Sequence, residues 1–350
     1  MPRPYLTLAA LATAALPGLD VARAQPFTGG GEGEFDSALI TGRDGAHLVV
    51  RVPATPAAAH AQDAETRALA ALTAGVRARL PFAVTTVRGI GVTGGRGSGP
   101  LSQVRDYLPG HRVRPDAVLA GGPLAASLGA AIAAVHALPP GIVAEAGLPR
   151  TTSAEALGAA ADLVERAAVC DRVPPPVLAR WRAAVGDTAN WQYRPVVIHG
   201  ALTIDRLLSA PRGAPDERVT GVLGWEAMSL GDPARDLAWT LALPGEAAAG
   251  SVFAAYSRAR GGSVDRELRQ RAMLYAELEI GRWLLHGLER GLAEVVRDAE
   301  TMLATLLDSV RQDTAGSLLH ETIPVLSVEQ VQRMLDDRRQ SAARSHAATD

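Results

Sequence analysis

The sequence contains no lysine; all 35 basic residues of its 350 are arginine. Chemistry that depends on a lysine ammonium is excluded, and every strong cationic contact must come from a planar guanidinium. Asparagine occurs once, at Asn190. Cysteine also occurs once, at Cys170, which excludes an internal disulfide and a cysteine-based metal site. Cys170 is expected to be a small buried apolar residue. Charge of one sign is not in excess: the formal net charge is −2, so no global field favours nucleic acid. No apolar run reaches membrane-spanning length. The longest at the N-terminus, Leu6 to Leu16, is too short to cross a bilayer. The accompanying bias toward Ala, Gly and Arg suggests GC-rich bacterial coding.

What is present is enough for a large core. With 47% hydrophobic residues, the chain can fill two lobes. Ala22-Arg23-Ala24 has the look of a signal-peptidase site. Against it, Arg3 is the lone charge upstream and Pro17 breaks the apolar run. The spacing of Leu6, Leu8, Leu11 and Leu16 instead predicts a structural helix within residues 1–25 and a cytoplasmic protein.

Residues 26–110 read as strand-rich. Ser37 to Thr41 and His47 to Val52 are strand-like, with Asp44-Gly45 as the turn between them. Ahead of them lies a glycine cluster containing Gly30, Gly31 and Gly33. A helix over 61–80 is expected to bury Ala68, Leu69, Leu72 and Val76. Val84 to Val92 and Ser102 to Leu108 are two further strands, joined by a flexible glycine-rich connector. Residues 111–310 are mainly helical, with helices expected over 122–138, 153–170, 175–186, 246–260, 264–290 and 293–310. Asp232 fits an N-cap and Pro233 the first helical position after it. Within 311–350, Ser327 opens a last helix with a capping-box pattern, and a small polar tail follows, expected to be disordered.

The most informative stretch runs from Val196 to Trp239. An apolar strand enters His199-Gly200, a short loop leads to Leu207-Leu208, and a second strand ends Leu223-Gly224-Trp225-Glu226. Gly231-Asp232-Pro233 follows. This spacing resembles the aminoglycoside and macrolide phosphotransferases, whose loop reads H-G-D-L-x-x-x-N-L-L and whose metal strand reads I-D-W-E. The resemblance covers about residues 5–310. It implies an α+β, bilobal protein-kinase-like fold, with a small antiparallel β-sheet N-lobe carrying a helix and a larger, mainly helical C-lobe. It also implies a cytoplasmic small-molecule kinase using ATP or GTP.

The frame matches and the chemical residues do not. Phosphoryl transfer rests on positioning and charge neutralisation, with hard oxygen ligands for metal and a carboxylate for the acceptor hydroxyl. Aligned on the family pattern, the catalytic Asp is Ala201, the metal-binding Asn is Arg206 and the metal-binding Asp is Gly224. Asp205 is the nearest carboxylate and is either a displaced base or a solvated loop residue. Glu226 is the one acidic side chain left for a metal, and Mg²⁺ is disfavoured. Arg206 would repel a divalent ion and suits a phosphate or another anion.

The resemblance further places Arg51 at the phosphate-gripping lysine and Glu65 at its partner glutamate, against the plainer reading of a surface ion pair. It places Gly30, Gly31 and Gly33 over the phosphates, where a plain hairpin would look the same. Asp106, Tyr107 and Leu108 fall at the segment whose backbone meets the base. His199, Asp232 and Asp236 are expected to order the loop as scaffold. Glu277 and Glu279 face either a cationic ligand or water. The expectation is a degenerate family member that binds nucleotide or a small molecule. The alternative is a residual phosphotransferase using Asp205 and Glu226, and a third reading is a structural partner of another protein. Neither nucleic acid nor membrane is expected as a partner.

Overall fold

The computed structural model describes residues 3–27, 34–93, 99–211, 213–214, 217–261 and 265–311. Gly30, Gly31, Gly33, the helix expected from Ser327 and the polar tail lie outside them.

The chain opens with helix α1 (Tyr5–Ala15) and strands β1 (Val21–Pro26), β2 (Phe35–Gly42) and β3 (His47–Pro53). Helices α2 (Pro56–Ala71) and α3 (Ala74–Arg77) follow, then β4 (Val87–Val92) and β5 (Leu101–Asp106). The five strands form one antiparallel sheet in the order β1-β2-β3-β5-β4. Alternation along β3 decides what each face does. Leu48, Val50 and Val52 join Ala38, Ile40 and Val104 beneath α1, while Val49 and Arg51 point to the opposite face. Asp44-Gly45 closes the β2–β3 turn, with Gly45 at φ +83°, a backbone value that glycine adopts without a Cβ penalty.

The N-terminal run differs in detail from the expected leucine face. Leu8, Ala9, Ala12 and Ala15 are buried, and Leu6 is exposed. The reason is close approach: a Cβ on Gly89 of β4 would come within 2.2 Å of the Ala15 carbonyl oxygen. Small residues on both sides let helix and sheet touch. Ala22-Arg23-Ala24, the resemblance to a cleavage site, lies in edge strand β1, so residues 1–25 are helix only as far as Ala15. The helix expected over 61–80 is broken at Leu72, which turns inward and is buried. Arg77 folds back on the break, donating to the carbonyls of Leu69 (3.1 Å), Val84 (2.7 Å) and Thr85 (3.0 Å).

The rest is mainly helical. In order come β6 (His111–Arg112), α4 (Pro123–His136), α5 (Gly141–Glu145), α6 (Ser153–Val169), α7 (Pro175–Gly186) and β7 (Val196–Ile198). Then come β8 (Leu207–Ser209), β9 (Val219–Val222), β10 (Ser229–Gly231), α8 (Ala234–Leu237), α9 (Glu246–Ala259), α10 (Leu268–Arg290) and α11 (Ala293–Arg311). Strands β6-β8-β9 form one small antiparallel sheet and β10-β7 another. The core centres on α4, where Leu124, Leu128, Ile132 and Val135 are all buried. Gly129 lets α9 approach; a Cβ there would lie 2.5 Å from the Val252 carbonyl oxygen. Asp232 is not the N-cap expected: α8 begins at Ala234 with Pro233 at the cap position, and Asp232 Oδ1 accepts from the Ala234 N–H at 2.9 Å from one residue before it. Cys170 is half-buried rather than buried, at the C-terminal end of α6, where its thiol lies 3.0 Å from the Ala167 carbonyl.

No described helix is long and apolar enough to cross a membrane.

Candidate functional site

The free face of the large sheet, the segment after β5 and the β8–β9 pair enclose a cleft of about 580 Å³. Its lining grades from apolar to charged. Val49, Leu108, Leu208 and Leu223 contribute one part, and Arg51, Glu65, Arg105, Arg206 and Glu226 another. Strand alternation puts Val49 and Arg51 on one face two residues apart, while Arg206 enters from the short turn that precedes β8.

Arg51 and Glu65 meet, with Nη1 3.3 Å from Oε2. The plainer alternative of a surface ion pair does not hold, because the Glu65 side chain is only 1% exposed. Sequence reasoning missed a third member. Arg105 also reaches Oε2 of Glu65, at 3.1 Å, so two guanidiniums share one buried carboxylate. Strand parity gives the signal: Arg105 pairs with Val49 across β3 and β5 and so emerges on the cleft face. Burial alone would push the Glu65 carboxyl up, but Arg105 and Arg51 hold it below its usual range. Arg51 is pulled down to about 10 by burial and by Arg105, against the pull of Glu65. Its Nε is buried without a partner, and its guanidinium lies 3.4 Å from the centre of the Phe35 ring.

Asp106, Tyr107 and Leu108 line the cleft. Two of their backbone donors are used within the fold: Asp106 N–H donates to Thr86 (3.0 Å) and Tyr107 N–H to His47 (3.1 Å).

The His199 loop is held from below. Asp236 on α8 accepts from the backbone N–H of His199 at 2.7 Å and of Gly200 at 2.8 Å. Gly200 sits at φ +82°, and a Cβ there would meet the Ala227 carbonyl oxygen at 2.2 Å. The buried His199 ring donates from Nε2 to the Leu223 carbonyl at 3.0 Å, linking the loop to the strand before Gly224. Burial pushes its pKa down, so it stays neutral. Sequence reasoning also missed His136, buried at the end of α4. Its Nε2 donates to Asp236 Oδ2 at 3.2 Å, and its Nδ1 meets the Tyr256 hydroxyl at 2.9 Å.

Burial would raise the Asp236 carboxyl, but its bonds with His136 and His199 hold it below the usual carboxylate range. Glu65 behaves alike. A carboxyl depressed on folding adds stability above its unfolded value, ~4, and that stability is lost as pH falls through the folded value. Urea midpoints are therefore expected to hold steady between about pH 6 and 8 and to fall steeply below about pH 4. Asp236→Asn should flatten part of the acid limb and lower neutral stability by about 1–3 kcal/mol. An acid limb identical in the variant would count against this assignment.

Ala201 is half-buried at the head of the loop and carries no proton acceptor. Asp205 lines the cleft and is exposed, in the short turn Ile204–Arg206. Arg112 donates to its backbone carbonyl and not to its carboxylate. Across β8 and β9, Leu207 faces Val222, which brings Arg206 beside Gly224. Arg206 Nη1 donates to the Gly224 carbonyl at 3.1 Å and pairs with Glu226 Oε1 at 2.6 Å. Glu226, the remaining candidate metal ligand, is thus engaged by a cation. Among the described residues no group of three or more His, Cys, Asp or Glu side chains is placed to hold a metal ion. The residues present do not fit a divalent cation.

Asp232, expected as scaffold, is buried and paired with Arg271 at 2.8 Å. Glu277 faces neither a ligand nor water. It is buried against Arg180, 3.0 Å away, and accepts from the indole N–H of Trp181 at 2.9 Å. Glu279 is exposed beside Arg282 at 2.7 Å.

Residues 23–275 match the model of the phosphotransferase enzyme family. The chain belongs to that family. Among solved structures it is similar to a macrolide 2′-phosphotransferase type I, with 25% identity, TM-score 0.66, and coverage of 85% of this chain and 95% of that one. Similar too is the apoenzyme of macrolide 2′-phosphotransferase MphH from Brachybacterium faecium, at 27% identity and TM-score 0.65, covering 84% and 97%. The GDP and kanamycin complex of an APH(2″) enzyme shares the fold at 19% identity and TM-score 0.68, covering 88% and 99%. No curated protein matches the chain significantly. The kinase-like fold expected from the His199–Trp239 spacing is the one observed.

Proposed function

We propose that this phosphotransferase family member binds a nucleotide, ATP or GTP in type, or a small hydroxylated molecule, and does not transfer phosphate efficiently. The observation that carries the reading is the coexistence of an ordered loop and an absent base. Asp236 grips His199 and Gly200, yet position 201 is alanine. General acid–base catalysis contributes typically ~10²–10⁴-fold, and no pKa shift can supply an acceptor that is missing. The cleft's grading from apolar to cationic lining suits a base at one part and phosphates at the other. Solved relatives bind GDP with kanamycin in one case and streptomycin with ATP in another, which supports the same ligand classes here. The packed α1 and the arginine-only composition support a cytoplasmic, bacterial protein.

The test is calorimetric titration with ATP, ADP, GTP and GDP, with and without Mg²⁺, beside an assay for transfer to hydroxylated small molecules. Nucleotide binding with background turnover is expected. Absence of binding in every condition would overturn the reading. So would Mg²⁺-dependent transfer abolished by Asp205→Ala, which would select the residual enzyme instead.

A further inference from the structure

Resting on that reading of the cleft, we infer that Arg206 takes the place of a metal ion, so that the site binds a nucleoside di- or triphosphate without a divalent cation.

The sequence change at 206 and the one at 224 are one change in space. Arg206 reaches from the turn before β8 toward Gly224, and a Cβ on Gly224 would lie 1.6 Å from its Nη1. No side chain at 224 can coexist with the guanidinium in this position. Gly224 also sits at φ +76°, where glycine carries no steric penalty. The guanidinium is fixed by two acceptors, the Gly224 carbonyl and Glu226. Both contacts use Nη1, while the side chain remains 32% exposed in the cleft wall. An arginine offers five donors in a fork that matches phosphate oxygens, so it can bind an anion while still held by Glu226.

Two further guanidiniums line the cleft with Arg206 and suit an anion. Arg51 and Arg105 line the same cleft from the sheet side, sharing Glu65 between them. The buried Arg51 Nε has no partner among the described residues. The whole lining has four arginines and five carboxylates, with Arg112, Glu34, Asp106 and Asp205 completing it and Asp106 paired with Arg88 at 2.7 Å. An anion is therefore favoured by the local placement of Arg206, Arg51 and Arg105 and not by the net charge of the cleft.

ADP, GDP and inorganic tripolyphosphate would be titrated into the protein in EDTA and in Mg²⁺. Binding in EDTA is expected, with Mg²⁺ leaving affinity unchanged or weakening it. Arg206→Ala should lose on the order of tenfold in EDTA, the scale of a hydrogen bond to a charged group. Melting supplies a ligand-free check. Gly224→Asp alone should lower the melting temperature through both its clash with Arg206 and the left-handed backbone at 224. Arg206→Asn with Gly224→Asp should recover the part due to the clash and make nucleotide binding Mg²⁺-dependent. Binding by the parent only in Mg²⁺ would overturn this inference and leave the nucleotide reading intact. Undiminished EDTA affinity in Arg206→Ala would do the same. Failure of every nucleotide in both buffers would overturn both.

Discussion

Arg271→Leu is expected to destabilise the protein by about 3–5 kcal/mol, the range for removing one partner of a buried charge pair. All five donors of this guanidinium are used. Nε and Nη2 donate to Asp232 at 2.8 and 3.1 Å, Nη1 and Nη2 to Asp265 at 3.0 and 2.9 Å, and Nη1 to the Asn190 carbonyl at 2.9 Å. The side chain is 1% exposed, and Asp232 is fully buried. Leucine would leave the Asp232 carboxyl without its cation in a dry site, with the Tyr275 hydroxyl at 3.0 Å and the Ala234 N–H as its remaining donors. The network joins α10 to the segment that leads into α8, and α8 carries Asp236. Loss of Arg271 should therefore also loosen the His199 loop. Urea unfolding measures the stability change. A loss below about 1 kcal/mol would show that the pair merely offsets its own desolvation. Arg271→Lys should fall in between, since three donors on a point charge cannot replace a five-donor fork.

Ala201→Asp alone is expected to leave phosphate transfer at background, because Arg206 still occupies the ground beside Gly224 and Glu226 stays engaged. Combining it with Arg206→Asn and Gly224→Asp should raise transfer to a hydroxylated acceptor by at least about 10²-fold, the lower range for a positioned base. The scaffold is ready for such a restoration. Asp236 already fixes the backbone of residues 199 and 200, His136 braces Asp236, and Arg51 already pairs with Glu65. Aspartate also tolerates the left-handed backbone at 224 better than most residues. The readout is nucleoside diphosphate release in Mg²⁺ with and without acceptor. Equal background in single and triple variants would show that the loss extends beyond these three positions.

The parts of this molecule legible in sequence were those fixed by local spacing. The distance from His199 to Trp225 and to Asp232 set the β8–β9 pair and the loop beneath it. The Arg51–Glu65 pairing was implied by the family resemblance, which the strand-to-helix frame around them matched. Features depending on distant partners were not legible. Arg271 reaches Asp232 across 39 residues, and His136 reaches Asp236 across 100; nothing local marks either residue. Arg105 was recoverable from strand parity alone. Edge strand β1 was missed because Val-Ala-Arg-Ala-Gln-Pro has weak alternation, and only pairing with β2 makes it a strand. Of the leucine face expected of α1, Leu8 is buried and Leu11 and Leu16 pack against the same cluster, while Leu6 is exposed; Ala9, Ala12 and Ala15 join the face because contact with Gly89 and Gly91 rewards small side chains. Most instructive is Gly224. In sequence it reads as the loss of a ligand, whereas in space it is the room that Arg206 requires.

The central claim is an ordered site without a working base or metal. The most direct measurement is the rate of γ-phosphate transfer from ATP and GTP, in Mg²⁺, to a panel of hydroxylated small molecules, with Asp205→Ala alongside. The account predicts background transfer in both proteins while nucleotide still binds. Mg²⁺-dependent transfer by the parent protein that disappears in Asp205→Ala would contradict it.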